Sequence, residues 1–341
     1  MRALVLKSER DLTLEQIDPP GTPEAGEAQI AIGAVSLNHI DVWGWRGMAF
    51  SKRQLPIIAG AEAAGMVVAL GPDCGELKVG DLVALYGAQT CGNCSACSKG
   101  HDNLCEHVSG IHGFHIDGFA RELCNHPARL LVRVPENLDV TAAALLPITF
   151  GTAQHMLFDN AHLKEGQSVL VHAGGSGVGS AAIQLAKNAG AMVITTVGSK
   201  EKMLKAKALG ADHVINYLEE RFESKVRRLS KKKGVDVVFE HVGADTFSGS
   251  VLSLKRGGHL VSCGATSGIR GDLNLFQLFQ QQLRIIGSFG CRLQNMRDCA
   301  EKLACGDIFP VIDTQLALSD FSHGIERLQS RDVFGKIVVK M

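Results

Sequence analysis

A chain of 341 residues, 45% of them hydrophobic, can bury a sizeable core, and its length points to two domains rather than one. Its 35 basic and 35 acidic side chains cancel, and the basic ones are spread along the chain, which removes the electrostatic case for a nucleic acid or a membrane surface as partner. No apolar run is long enough to span a bilayer.

The opening "MRALVLKSERDLTLE" alternates as a strand does and lacks the apolar core and small-residue cleavage site of an export signal, so the chain is expected in the cytoplasm. In that reducing compartment the next feature, Cys91, Cys94, Cys97 and Cys105 at C-x2-C-x2-C-x7-C, predicts a bound metal rather than disulfides. Zinc suits four thiolates held tetrahedrally, and a closed thiolate shell leaves no open position for substrate. One structural zinc per chain, bracing a lobe over residues 87–110, is therefore expected. The other six cysteines are expected as small buried residues. With four thiols at hand, His101, His107, His112 and His115 are expected at the surface.

Further along, "QSVLVH" at 167–172 has the apolar character of a buried parallel strand. It runs directly into "AGGSGVGSAAIQLAKNAGA", where Val178, Ala181, Ala182, Leu185 and Ala186 recur at helical spacing, and then into a second strand, "MVITTV". Strand, glycine turn, helix, strand is the dinucleotide-binding unit: glycines admit backbone to the pyrophosphate, and a helix N-terminus favours its charge. The turn of Gly174, Gly175, Ser176, Gly177 and Val178 is the expected contact, with Ser176 standing where strict G-x-G-x-x-G spacing would put its second glycine.

Three more apolar runs follow, "ADHVINY", "VDVVFEHVG" and "GGHLVSCGATSG", separated by helical segments near 200–209, 219–230 and 245–254. The alternation predicts an α/β, doubly wound parallel sheet with its ligand at the carboxyl ends of the strands. The second strand ends "TTVGSKEK" without the acid that commonly binds the ribose hydroxyls of NAD. Ser199, Lys200 and Lys202 instead suit a 2′-phosphate, which favours NADPH. The basic run "RRLSKKKG" at 227–234 reads as the solvated end of a helix.

Taken in order, "SLNHIDVWGWRG", "PIIAGAEAAGMVVALG", "VGDLVAL", the cysteine lobe, "HAGGSGVGSAAIQLAKNAGA", "LGADHVINY" and "GKIVV" give the chain its resemblance to the medium-chain dehydrogenase/reductases. These include zinc alcohol dehydrogenases and zinc-free quinone and enoyl reductases. The resemblance covers essentially the whole chain. It implies a GroES-like antiparallel β-barrel catalytic domain built from residues 1–149 and 288–341, and a Rossmann domain of residues 150–287 inserted into it. It also implies a homodimer or tetramer, and a small-molecule acceptor as substrate.

The sequence departs from the zinc-dependent pattern at the catalytic metal. Asn38 in "NHID" takes the position of the cysteine ligand, Ala61 in "GAEAAG" that of the histidine, and "LLPITFGTAQ" offers no cysteine. Glu62 and Asp41 alone are hard carboxylates and make a poor zinc site. Metal coordination lowers the pKa of a bound water from 15.7 to about 7, which corresponds to about 12 kcal/mol of alkoxide-type stabilisation. A single hydrogen-bond donor supplies about 3–4 kcal/mol. The expected chemistry is therefore hydride transfer from NADPH to an activated acceptor, an enone, enoyl thioester or quinone, whose charge delocalises without a metal.

By the same resemblance, Asn38 would donate its amide to the acceptor oxygen, His39 would supply a proton or touch the cofactor phosphates, and Trp43 would line the pocket. Thr149, Tyr217 and Arg292 would join Ser199 and Lys202 around the cofactor. Asp41 reads as a hydrogen-bonded anchor and Trp45 as packing. Two other functions fit less of the sequence. One is an alcohol dehydrogenase rebuilding a catalytic zinc from His39, Glu62 and Asp41, and the other is a non-enzymatic NADPH-binding protein.

Overall fold

A computed structural model of the chain describes residues 1–48 and 53–341. Its contacts divide it into two compact units, Met1–Gly151 with Cys291–Met341, and Thr152–Gly290. Among the described residues no helix is long and apolar enough to cross a membrane.

The first unit is built on the strand Glu27–Ser36. Its sequence EAQIAIGAVS alternates, so Ala28, Ile30, Ile32 and Ala34 face inward before both faces become buried at Val35 and Ser36. Around it lies a sheet in the order Ile312–Ala317, Lys336–Lys340, Glu27–Ser36, Ala63–Leu70, Leu82–Leu85, Leu131–Arg133, with Leu123–Pro127 also paired to Glu27–Ser36. Every pairing is antiparallel except that of Ile312–Ala317 with Lys336–Lys340. A smaller sheet joins Asp11–Gln16, Arg2–Ser8 and Ile57–Ile58. Ile30, Val35, Val83, Leu85, Phe119, Phe321 and Ile337 belong to one apolar core. Gly65 is needed here because a Cβ would strike the Ala31 carbonyl of the neighbouring strand.

The register of this sheet gathers the residues on which the site depends. Val338 pairs with Ser36 and Val35 pairs with Ala63. Lys336 therefore comes opposite Asn38, and Glu62 comes beside Ser36, all at one end of the sheet.

The second unit is a six-stranded, all-parallel sheet. Its order is His213–Asn216, Met192–Val197, Ser168–Val171, Val235–Glu240, Leu254–Ser262, Arg284–Gly287. The strand direction of winding reverses between Ser168–Val171 and Val235–Glu240, and ligands of such sheets bind at that switch point. The helices Lys200–Ala208, Phe222–Leu229 and Ala244–Ser253 stand close to the segments expected from the sequence. Leu170, Ile194, Ile215, Val238, Leu260 and Phe222 form its core.

Two expectations require correction. His112 is buried, stacked on Phe119 at 4.7 Å between ring centres, with Nδ1 2.6 Å from the Asp117 carbonyl. Burial depresses its pKa to about 4, so it packs as a neutral aromatic. Of the six scattered cysteines, Cys124, Cys291 and Cys299 are buried, Cys74 and Cys263 are partly covered, and Cys305 is exposed on the last turn of the helix Leu293–Cys305.

Candidate active site, metal lobe and nucleotide turn

At the sheet end in the first unit, Lys336 and Glu62 are buried together, their side chains 5% and 0% exposed. The Lys336 ammonium donates to the Leu37 carbonyl at 2.6 Å, to Asn38 Oδ1 at 2.7 Å and to Glu62 Oε2 at 3.1 Å, which places all three of its protons. Glu62 Oε1 accepts from the amides of Ile148 and Thr149 at 2.7 and 2.6 Å. Its Oε2 also accepts from Asn38 Nδ2 and Thr149 Oγ1, both at 3.0 Å. A buried charge is tolerated when it is paired and hydrogen-bonded in this way.

This network revises two expectations. The Asn38 amide is fixed in orientation, because only its oxygen can face an ammonium. Its nitrogen then donates to the Ser36 carbonyl and to Glu62, each at 3.0 Å, so neither amide proton is left for a substrate oxygen. Thr149 is buried and its hydroxyl donates to Glu62, so its one donor is engaged by the carboxylate. Lys336 belongs to no motif that marks it as part of a site. The available signal was a lone lysine entering the apolar run "KIVV".

Asn38 precedes the helix His39–Trp45, and its backbone N–H donates to Asp41 Oδ2 at 2.7 Å. Asp41 is thus an anchor of the turn. Burial raises its pKa to about 7 against the opposing pull of the Asn38 and Ala61 amides. His39 and Trp43 lie half-buried on the same short helix. Trp45 packs against the core, with the Arg10 guanidinium 5.8 Å from its ring centre.

In the lobe, the sulfur atoms of Cys91, Cys94, Cys97 and Cys105 all lie within 4.8 Å of one another. Cys91 and Cys105 are 3.6 Å apart, against an edge of about 3.8 Å for a tetrahedron with Zn–S of about 2.3 Å. Main-chain N–H groups of Cys91 and His107 point at Cys105 Sγ, at 3.3 and 3.4 Å. The amides of Cys97 and Glu106 pull the Cys94 thiol down to about 6. Spacing, geometry and donors aimed at sulfur fit a thiolate-bound zinc.

In the second unit the glycine turn follows Ser168–Val171 at the switch point. Ser176 caps the helix Gly177–Asn188, accepting from the Gly179 amide at 3.0 Å, which explains a serine within the glycine motif. A Cβ at Gly174 would strike Thr195, and one at Gly179 would strike the Ala173 carbonyl. At the tip of the next strand, Ser199 caps the helix Lys200–Ala208 by accepting from the Lys202 amide at 3.2 Å. Tyr217 is half-exposed beside Gly198, where a Cβ would sit 2.5 Å from its hydroxyl. Ser199, Lys202 and Tyr217 thus come to one edge of the sheet. Arg292 lies in the first unit, at the N-cap of Leu293–Cys305.

A second buried polar network, which no sequence motif marks, lies beside the glycine turn. His172 Nε2 is 2.9 Å from Ser250 Oγ, which donates to Glu240 Oε2 at 2.6 Å, while His172 Nδ1 is 3.1 Å from Thr196 Oγ1. Burial pushes Glu240 up, but His172, the Ser250 hydroxyl and the amides of Gly243 and Val242 hold it below the usual range. The network ties the residue after Ser168–Val171 to the strand Met192–Val197, to the end of Val235–Glu240 and to the helix Ala244–Ser253.

Comparison with known proteins agrees with this architecture. Residues 24–136 match the family model of the alcohol dehydrogenase GroES-like domain, and residues 177–304 match that of the zinc-binding dehydrogenases. An alcohol dehydrogenase from Geobacillus stearothermophilus is 30% identical over 99% of this chain and 98% of its own. An acryloyl-coenzyme A reductase from Metallosphaera sedula is 28% identical over 99% of each chain. A solved NAD-dependent alcohol dehydrogenase is 38% identical, with a TM-score of 0.94 and both chains covered in full. With its parallel nucleotide-type sheet, its separate antiparallel unit and these full-length likenesses, the chain is a member of the medium-chain dehydrogenase/reductase superfamily.

Proposed function

We propose that this oxidoreductase uses NADPH to reduce an activated double bond, that of an enone, an enoyl thioester or a quinone, without a catalytic metal. The observation that carries the reading is the buried network where zinc-dependent members hold their metal. Asn38 and Ala61 occupy ligand positions, and the two oxygens of Glu62 already accept five hydrogen bonds. A carboxylate so saturated has no lone pair directed at an ion. The likeness to an acryloyl-coenzyme A reductase supports the acceptor class.

When bound, NADPH supplies the hydride. The chain's own residues bind and orient. The turn Gly174–Val178 and the helix behind it hold the pyrophosphate, while Ser199, Lys202 and Tyr217 meet the adenosine 2′-phosphate. Arg292 is proposed as a further cofactor contact. The Asn38–Glu62–Lys336–Thr149 network fixes the turn that presents His39 and Trp43, with His39 as proton donor to the reduced acceptor and Trp43 as a pocket wall. Cys91, Cys94, Cys97 and Cys105 hold one structural zinc. We further propose a cytoplasmic homodimer.

A screen of NADPH and NADH oxidation against quinones, enones, enoyl thioesters and aldehydes, with zinc measured on the same sample, tests this. The expected result is turnover of a conjugated acceptor with NADPH favoured and about one zinc per chain. Metal-dependent alcohol oxidation with about two zinc ions per chain would establish a zinc alcohol dehydrogenase instead. Tight NADPH binding with no turnover on any acceptor would leave a binding protein.

A further inference from the structure

The chain passes between its units twice, leaving the first at Gly151 and returning at Cys291. Any movement of one unit against the other in such a molecule must be absorbed by those two crossings. Within the first unit the ends of the crossings are stitched together. The Cys291 thiol donates to the Pro147 carbonyl at 3.0 Å, and the Cys299 thiol approaches the Phe150 carbonyl at 3.6 Å. A Cβ at Gly151 would lie 2.6 Å from Cys291 Sγ, so the two segments are in close contact.

The cysteine lobe reaches the same place. Asp102, in the short turn Asp102–Leu104 between the third and fourth cysteines, accepts at Oδ2 from the Leu293 amide at 3.2 Å. Leu293 opens the 13-residue helix Leu293–Cys305, whose first N–H groups have no partner within the helix, and a carboxylate there is doubly favoured. Tyr86, 4% exposed, donates its hydroxyl to the Cys291 carbonyl at 2.6 Å. Burial, with Asp102, Cys97 and Cys105 acting in the same sense, raises its pKa and keeps the donor proton in place.

We propose that Asp102, within the metal-holding lobe, and Tyr86, the residue that leads into it, are positioning residues that fasten the lobe to the returning crossing, so that the order of the lobe sets the order of residues 291–296. The lobe is then a brace for the hinge and not only for its own loop. This rests on the reading that the four thiolates hold zinc, and the test separates the two.

Amide exchange is measured by mass spectrometry on the full-length protein, with zinc content determined in parallel. Asp102→Ala and Tyr86→Phe are each expected to speed exchange in 291–296 about tenfold, the scale of one lost hydrogen bond. One zinc per chain should remain, and exchange in Ser168–Val171 should not change. Asp102→Asn, which keeps an acceptor oxygen, should restore most of the protection. Chelation should speed the same amides in the natural sequence and add little in Asp102→Ala. Unchanged exchange in Asp102→Ala, or equal responses of the two proteins to chelation, overturns the proposal. If chelation also loosens Ser168–Val171, the molecule has opened globally, and the contrast between Asp102→Ala and Asp102→Asn decides. Absence of zinc from the natural protein, with the Asp102→Ala effect intact, would overturn the zinc reading and the transmission from it, leaving only the tether.

Discussion

Lys336 and Glu62 show how two opposite charges can be held together inside a protein. Each charge is buried, and each is acceptable only because the other is present. Lys336→Met leaves Glu62 and the Asn38 oxygen without their cation and should cost about 3–5 kcal/mol in urea unfolding. Lys336→Met with Glu62→Gln should lose less than the sum of the two single changes, since the pair is in direct contact. Asp41 offers a pH readout of the same turn. Burial raises its pKa from 3.8 to about 7, so between those values the folded chain holds a proton that the unfolded chain has released. Stability from this group therefore falls as pH rises from about 4 to 7 and stays low above that. Asp41→Asn, still able to accept from the Asn38 amide, should gain in melting temperature relative to the natural chain at pH 8 compared with pH 5. An identical difference at both values would refute a raised Asp41.

At the level of elements, the glycine turn is the clearest case of sequence specifying local geometry. Gly174 and Gly179 are dictated by contact with Thr195 and the Ala173 carbonyl, and Ser176 by the cap it forms. Gly179→Val should weaken binding of a reduced nicotinamide nucleotide at least about tenfold, read by nucleotide fluorescence, with the first unit still folded by circular dichroism and metal content. The strands and helices of this unit were legible because their apolar periodicity is local. His112 was not: its burial follows from stacking on Phe119 and from the Asp117 carbonyl, and no spacing within "GIHGFHIDG" distinguishes it from His115.

For the whole molecule, the parallel sheet ends in Arg284–Gly287, which among the described residues pairs on one side only, with Leu254–Ser262. In the chain segments just before and after that strand, Leu275, Phe276, Phe279 and Phe289 are each 59–66% exposed. An open edge flanked by exposed aromatics invites pairing, and a second copy of the chain is the proposed occupant. Light scattering should give twice the 36.4 kDa chain mass, and Phe279→Asp with Ile285→Lys should return it to the monomer value. A natural protein that scatters as a monomer at micromolar concentration would exclude the dimer.

Sequence by itself determined the features that short spacings encode. The four-thiol loop, the strand, glycine turn and helix, and the alternation of a parallel sheet can all be read within windows of a few residues, as can the presence of Asn38 in "NHID" and Ala61 in "GAEAAG". Tertiary structure alone decided what stands at the altered site. Lys336 lies 298 positions from Asn38 along the chain and 274 from Glu62, and only the register of three strands brings them within hydrogen-bond reach. That convergence turned Asn38 from an expected donor to substrate into a fully engaged support. The direction of an amide is set by every neighbour it meets in space, and such neighbours leave no periodic trace in the chain.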